Sequence, residues 1–78
     1  MTNLEKYNAC FTECFSIGED QLATLTYQCI PEWDSVGHMS LIAELENALD
    51  IMMETDDIID FSSYEIGKTI VAKYDIVL

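Results

Sequence analysis

Apolar residues recur at helical spacing in four stretches of the chain and lose that period in one long interval, which predicts four helices and a connecting loop. The Thr2-x-x-Glu5 pair is a capping-box pattern, in which a hydroxyl and a carboxylate three residues apart each satisfy a backbone N–H of the first turn. Leu4, Tyr7, Phe11, Cys14 and Phe15 then repeat every three or four residues as far as Ser16 and Gly18, so the first helix turns an aromatic face inward. From Gly18 to Trp33 the apolar positions Leu22, Leu25, Tyr27 and Ile30 fall at irregular intervals, and Pro31 disfavours helical backbone at Ile30. A long loop pinned by scattered apolar anchors is the expectation there.

The second helix begins at Asp34 or Ser35, both good N-cap residues, and runs to about Leu49 or Asp50. At roughly 100° per residue its apolar side chains divide into two groups. Leu41, Leu45, Ala48 and Leu49, with Ile42 at the margin, form a core face. Val36, Met39 and Ala43 form a second stripe on the far side, where a surface helix ordinarily carries polar groups. A short third helix follows Thr55, with Asp56 and Asp57 in its first turn favouring the dipole and Ile58, Ile59 and Phe61 as its apolar contribution. Ser62-x-x-Glu65 repeats the capping-box pattern and opens a fourth helix along whose face lie Tyr64, Gly67, Val71 and Tyr74. The expected fold is all-α: a small four-helix bundle over residues 1–78, one domain, with a long loop between helices one and two and a short helix three.

Charge changes the picture of its partners. Half of the 78 residues are apolar and the mean hydropathy is +0.13, so the chain should fold in spite of a formal net charge of -12. Fifteen acidic residues stand against Lys6, Lys68 and Lys73, a balance that repels nucleic acid and anionic lipid and favours basic protein partners, with a monomer as the default for so charged a body. The N-terminal residues lack the layout of a signal peptide and no apolar run reaches membrane-spanning length, so a cytoplasmic location is expected. Cys10, Cys14 and Cys29 are odd in number and have neither a second cysteine pair nor a nearby histidine, which argues for free, mostly packed thiols over a metal site.

The candidate chemistry lies at the start of the second helix. A hydroxyl at the first turn sits beside unpaired N–H groups and the positive end of the dipole, where an attached phosphate would be stabilised. The plain alternative is that Asp34 or Ser35 is only a cap. Ser35 also adjoins the Val36, Met39 and Ala43 stripe, which Ser40, Glu46, Asn47 and Asp50 border as a polar and acidic rim, the layout of a docking patch.

Trp33-Asp34-Ser35-Val36, followed by Leu41, Glu44, Leu45, Glu46, Leu49, Asp50 and Ile51, resembles the acyl carrier and peptidyl carrier protein family, whose attachment motif is an Asp-Ser-apolar segment opening helix two. The likeness extends to helix order, length and acidity and is strongest from Pro31 to Ile51. It implies that Ser35 accepts a 4'-phosphopantetheine arm from a phosphopantetheinyl transferase that uses magnesium, that Asp34 helps the transferase recognise the site, and that Val36, Met39, Ala43 and Glu46 meet partner enzymes. It also implies that helix three, here Ile58, Ile59 and Phe61, shifts to shelter some cargoes, and that the protein catalyses nothing itself. Gly37 and Ser40 stand where many fatty-acid-synthesis members carry acids, and Trp33 where they often have Ala. The chain is therefore more similar to D-alanyl carriers or carriers of secondary pathways.

Three other readings compete. A nucleophilic set of Asp34, Ser35 and His38 lacks a G-x-S-x-G elbow and does not align along one helix face; His38 falls toward the core, where a hydrogen-bonded, partly buried role is expected. Asp56, Asp57 and Asp60 lack the ligand spacing, central Gly and terminal Glu of a calcium loop and are expected in solvent or at a helix start. An unmodified acidic adaptor that binds a basic partner through the Val36, Met39 and Ala43 patch is the substantial alternative.

Overall fold

The computed structural model describes residues 1–78 and contains helices but no strand. The four α-helices are α1 (Asn3–Phe15), α2 (Ser35–Leu49), α3 (Thr55–Asp60) and α4 (Tyr64–Ala72), and a 3₁₀ helix covers Glu19–Thr24. The capping box forms as the sequence indicates: Glu5 N–H donates to Thr2 Oγ1 at 3.1 Å and Thr2 N–H donates to Glu5 Oε1 at 2.8 Å. Ser16 then ends α1 in the left-handed region at φ 55°. Asp34 caps α2 through Oδ1, and Asp50 ends it with φ 53°.

Two expectations about boundaries need correction. The interval after Gly18 is not wholly irregular, because Glu19–Thr24 winds into a 3₁₀ helix that buries Leu22. Such a helix is too short and too tightly wound to leave a 3.6-residue period in the sequence. The cap of α4 is Ser63, whose Oγ accepts the Ile66 N–H at 3.0 Å, so the Ser62–Glu65 box does not form. Long-range backbone pairing fixes that register: Tyr27 N–H donates to the Ser62 carbonyl at 2.8 Å and Tyr64 N–H to the Leu25 carbonyl at 3.0 Å. The loop is thereby sewn to the junction of α3 and α4 through a bridge at Thr26 and Ser63.

Sixteen buried apolar residues form one core cluster, and its centre is aromatic. The Phe11 ring lies 5.0 Å from Tyr7, 5.8 Å from Trp33, 6.1 Å from Phe61 and 5.4 Å from Tyr64, centroid to centroid. Pairs at such distances add about 0.5–1.5 kcal/mol each beyond the burial of their area. Ile42, marginal on the wheel, belongs to this core together with Leu41, Leu45 and Leu49. Gly67 lets α4 approach the aromatic cluster: a Cβ there would come within 2.3 Å of both the Tyr7 hydroxyl and the Phe61 ring. The Tyr7 hydroxyl donates to the Tyr64 carbonyl at 2.6 Å, which satisfies a polar atom that has left water. The result is a compact all-α globule whose radius of gyration, 11.2 Å, is close to the roughly 11.5 Å general scaling gives for this length.

Candidate functional site

Trp33 fixes where the site begins. Its side chain is fully buried, its N–H donates to the Ile30 carbonyl at 3.1 Å, and its carbonyl accepts from Gln28 N–H at 3.0 Å. The turn through Pro31 and Glu32 folds back on the first turn of α2 so closely that a Cβ on Gly37 would lie 1.9 Å from the Glu32 carbonyl oxygen. Glycine is thus a packing requirement of this entry turn.

Asp34 accepts the Gly37 N–H at 2.7 Å, so the capping role falls to the aspartate. Ser35, the first helical residue, is left exposed with its hydroxyl free of that duty. It opens a helix of 15 residues with no lysine or arginine.

Beside Ser35 runs a groove of about 340 Å³, walled by Tyr27, Met39, Ile58 and Ile59 and floored by His38 and Phe61. His38 is half-buried. Trp33 Nε1–H donates to its Nδ1 at 2.9 Å, and its Nε2 lies 2.7 Å from the Ile58 carbonyl oxygen. An indole nitrogen only donates and a carbonyl only accepts, so these partners assign the neutral tautomer with the proton on Nε2. Both ring nitrogens are therefore engaged, and His38 has no free nitrogen to draw a proton from Ser35. Its role is to tie α2 to the end of α3.

The outward stripe of α2 is exposed as the wheel indicates: Val36 is 74 % accessible, Met39 55 %, and Ala43 is also exposed. Ser40, Asn47 and Asp50 border it in solvent. Glu46 is half-buried, and its Oε2 accepts the Met53 N–H at 2.8 Å, so part of this carboxylate serves the chain that leaves α2. Of the apolar residues that helix three contributes, Phe61 is buried and Ile58 half-buried, while Ile59 is 71 % accessible and extends the apolar surface onto α3. A six-residue helix offers less than two turns, and its inward direction is taken by Asp57 and Ile58.

Asp56 and Asp57 stand in the first turn of α3, the helix start expected for them, and Asp57 is in addition buried. Lys73 Nζ lies 2.5 Å from Asp57 Oδ1, and the Tyr74 hydroxyl donates to Oδ2 while accepting the Glu54 N–H at 2.9 Å. The lysine hydrogen bond, followed by that from Tyr74, holds the Asp57 carboxyl below the usual aspartate range, and the same contact raises Lys73. No group of three or more His, Cys, Asp or Glu side chains is arranged to hold a metal ion.

The three thiols are free. Burial pushes Cys10 up to about 11 and also raises Cys14, so two of the thiols are packed, whereas Cys29 is exposed. Electrostatically the site is one-sided, for no lysine or arginine occurs between Lys6 and Lys68. Lys68 pairs with Glu65 at 3.7 Å and sits over the Tyr64 ring, and Lys73 is committed to Asp57. No helix is long and apolar enough to cross a membrane. No family model matches the chain, and no significant match to a curated protein or a solved structure was found.

Proposed function

We propose that this protein is a carrier of the acyl or peptidyl carrier type, a small four-helix domain that holds cargo as a thioester on a 4'-phosphopantetheine arm joined to Ser35. The observation that carries the proposal is an exposed serine at the first position of α2, freed from capping by Asp34, next to an apolar stripe that faces away from the core. A phosphodiester on that hydroxyl would lie at the positive end of a 15-residue helix, where anionic oxygens are favoured. The apolar groove starting at Ser35 suits a flexible attached arm and has no carboxylate in its walls to repel the phosphate. When attached, the arm supplies the thiol that bears the cargo.

The chain's own residues do the rest by binding and orientation. Asp34 fixes the first turn and so the direction in which Ser35 projects. Val36, Met39 and Ala43, with Glu46 at their edge, form the surface read by the transferase and by loading and transfer enzymes. Those partners present basic surfaces, because the body they meet carries thirteen carboxylates and no cation between residues 7 and 67. Charge steering speeds encounter while a small apolar patch keeps docking reversible, and a tethered cargo reaches each active site at high effective concentration. Salt should slow the encounter. A cytoplasmic, monomeric protein serving a secondary pathway fits these properties.

Coexpression with a broad-specificity transferase tests the reading: the intact mass of the wild type should rise by one arm and that of Ser35→Ala should not. If the protein is instead an unmodified adaptor, partner capture survives Ser35→Ala and is lost in Met39→Glu.

A further inference from the structure

We propose that the interior of this protein is closed to the cargo on Ser35, and that the external groove receives a short, uncharged apolar group. The inference rests on the carrier reading and specifies the class of cargo.

Ser35 opens directly onto the groove, so a group tethered there meets Met39, Ile59 and Tyr27 before anything else. To go deeper it would have to pass the floor. Beside His38, joined to it edge to edge by the Nε1–H bond, the Trp33 ring lies nearly coplanar with centroids 6.2 Å apart, and Phe15 stacks on Trp33 at 5.3 Å. Phe61, the other floor residue, stacks on Phe11 at 6.1 Å. Trp33, Phe11, Phe15 and Phe61 are essentially inaccessible to solvent. These rings are the part of the core that backs the groove, and a close-packed interior yields space only when such side chains leave their positions.

The groove cannot easily widen sideways either. Its far wall is α3, which is held by the Ile58 carbonyl accepting from His38 Nε2–H at 2.7 Å and, one residue earlier, by Asp57 bonding Lys73 and Tyr74. The Glu54 N–H bond to the Tyr74 hydroxyl anchors the approach to the same helix. Swinging α3 outward would break these contacts together, taking Asp57 from Lys73 and Tyr74 and leaving His38 Nε2 without its acceptor.

Size and polarity then set the class. At about 340 Å³ the groove stands at the small end of the roughly 300–1,000 Å³ typical of ligand pockets. No Lys, Asp or Glu lines it. A cargo bearing an ammonium, as an aminoacyl group does, would find no carboxylate there, whereas a short acyl chain would lie on Met39, Ile58 and Ile59 and leave water.

A tethered-tail experiment tests this without any transferase. In a Cys29→Ser background, Ser35→Cys is alkylated with iodoacetamides bearing a butyl, a hexadecyl or an ammonium-ended butyl tail; the introduced thiolate displaces iodide, a C–S bond forms, and the proton goes to buffer. Intact mass selects singly modified protein. Methyl NMR should show both alkyl tails shifting Met39, Ile58 and Ile59 while Leu45 and Val71 stay unmoved, with shifts several-fold smaller for the ammonium tail. Core shifts at Leu45 and Val71 with the long tail would overturn the closed interior. Unmoved groove signals with the butyl tail, or equal shifts with the charged one, would overturn the assigned class. In His38→Ala, where one floor residue is removed, the hexadecyl tail should reach Leu45; continued exclusion would show that the floor is not what closes the core. A wild type that never accepts an arm would sink the carrier reading and leave these tail results standing as a property of the groove, so the two failures are separable.

Discussion

The two faces of α2 are built from similar residues and do opposite things. Leu41, Ile42, Leu45 and Leu49 are buried under α1 and the aromatic cluster, while Val36, Met39 and Ala43 on the same helix remain in water. Apolar character alone therefore does not distinguish core from surface; what distinguishes them is whether the chain supplies a cover. The inner face is covered within the molecule and determines stability. The outer face has no cover within the molecule and is available to a partner.

Breaking the inner side should have the largest effect. Phe11→Ala removes the ring at the centre of the cluster and is expected to cost about 3–5 kcal/mol, a large part of the roughly 5–15 kcal/mol that stabilises a small domain. Urea unfolding followed by the Trp33 fluorescence measures it. A loss below about 1 kcal/mol would mean that the cluster is not the centre of the fold.

Gly37→Ala comes next. The added methyl meets the Glu32 carbonyl, and relief requires the entry turn to shift, for a cost of about 1–3 kcal/mol. Because that turn also aims Ser35, the variant should gain the arm more slowly than wild type at equal folded fraction, which a mass-resolved time course reads.

Asp57 links the comparison to pH. Its folded-state carboxyl is lowered by Lys73 and Tyr74, so its contribution is complete above the ordinary aspartate value of about 4 and is lost as pH falls through the lowered folded value. Asp57→Asn should lower the urea midpoint at pH 7 and narrow its gap to wild type at pH 3. An equal gap at both pH values would show that the charge is not what Lys73 reads.

The smallest change in stability belongs to the outer face. Met39→Glu should shift the unfolding midpoint by no more than about 0.5 kcal/mol while abolishing capture by a basic partner enzyme, and a marked destabilisation would place Met39 in the core after all.

The features legible in the sequence are those set by neighbours within a turn or two. Thr2 with Glu5, Asp34 at the mouth of α2, the inward aromatic face of α1 and the exposed position of Val36 and Met39 all follow from local spacing. What the spacing misses is decided at long range. Ser62 and Ser63 are equally good caps, and the choice falls to Ser63 because Leu25 and Tyr27 pair across the loop. The place of Asp57 in the first turn of α3 is legible, but its burial is not, since that depends on Lys73 and Tyr74, 16 and 17 residues downstream, folding onto it. Ile42 is marginal on an isolated wheel, which cannot show how far around α2 the core extends. At the site, Ser35 and its stripe were legible; the His38 tie between Trp33 and Ile58 was not, since it depends on α3 lying across the groove.

The most direct test is to expose purified full-length protein to a phosphopantetheinyl transferase, coenzyme A and magnesium, then locate any added mass by fragmentation. The account predicts one arm per chain, on the peptide carrying Ser35 and on that hydroxyl. An unmodified chain, or an arm on any other residue, would contradict it.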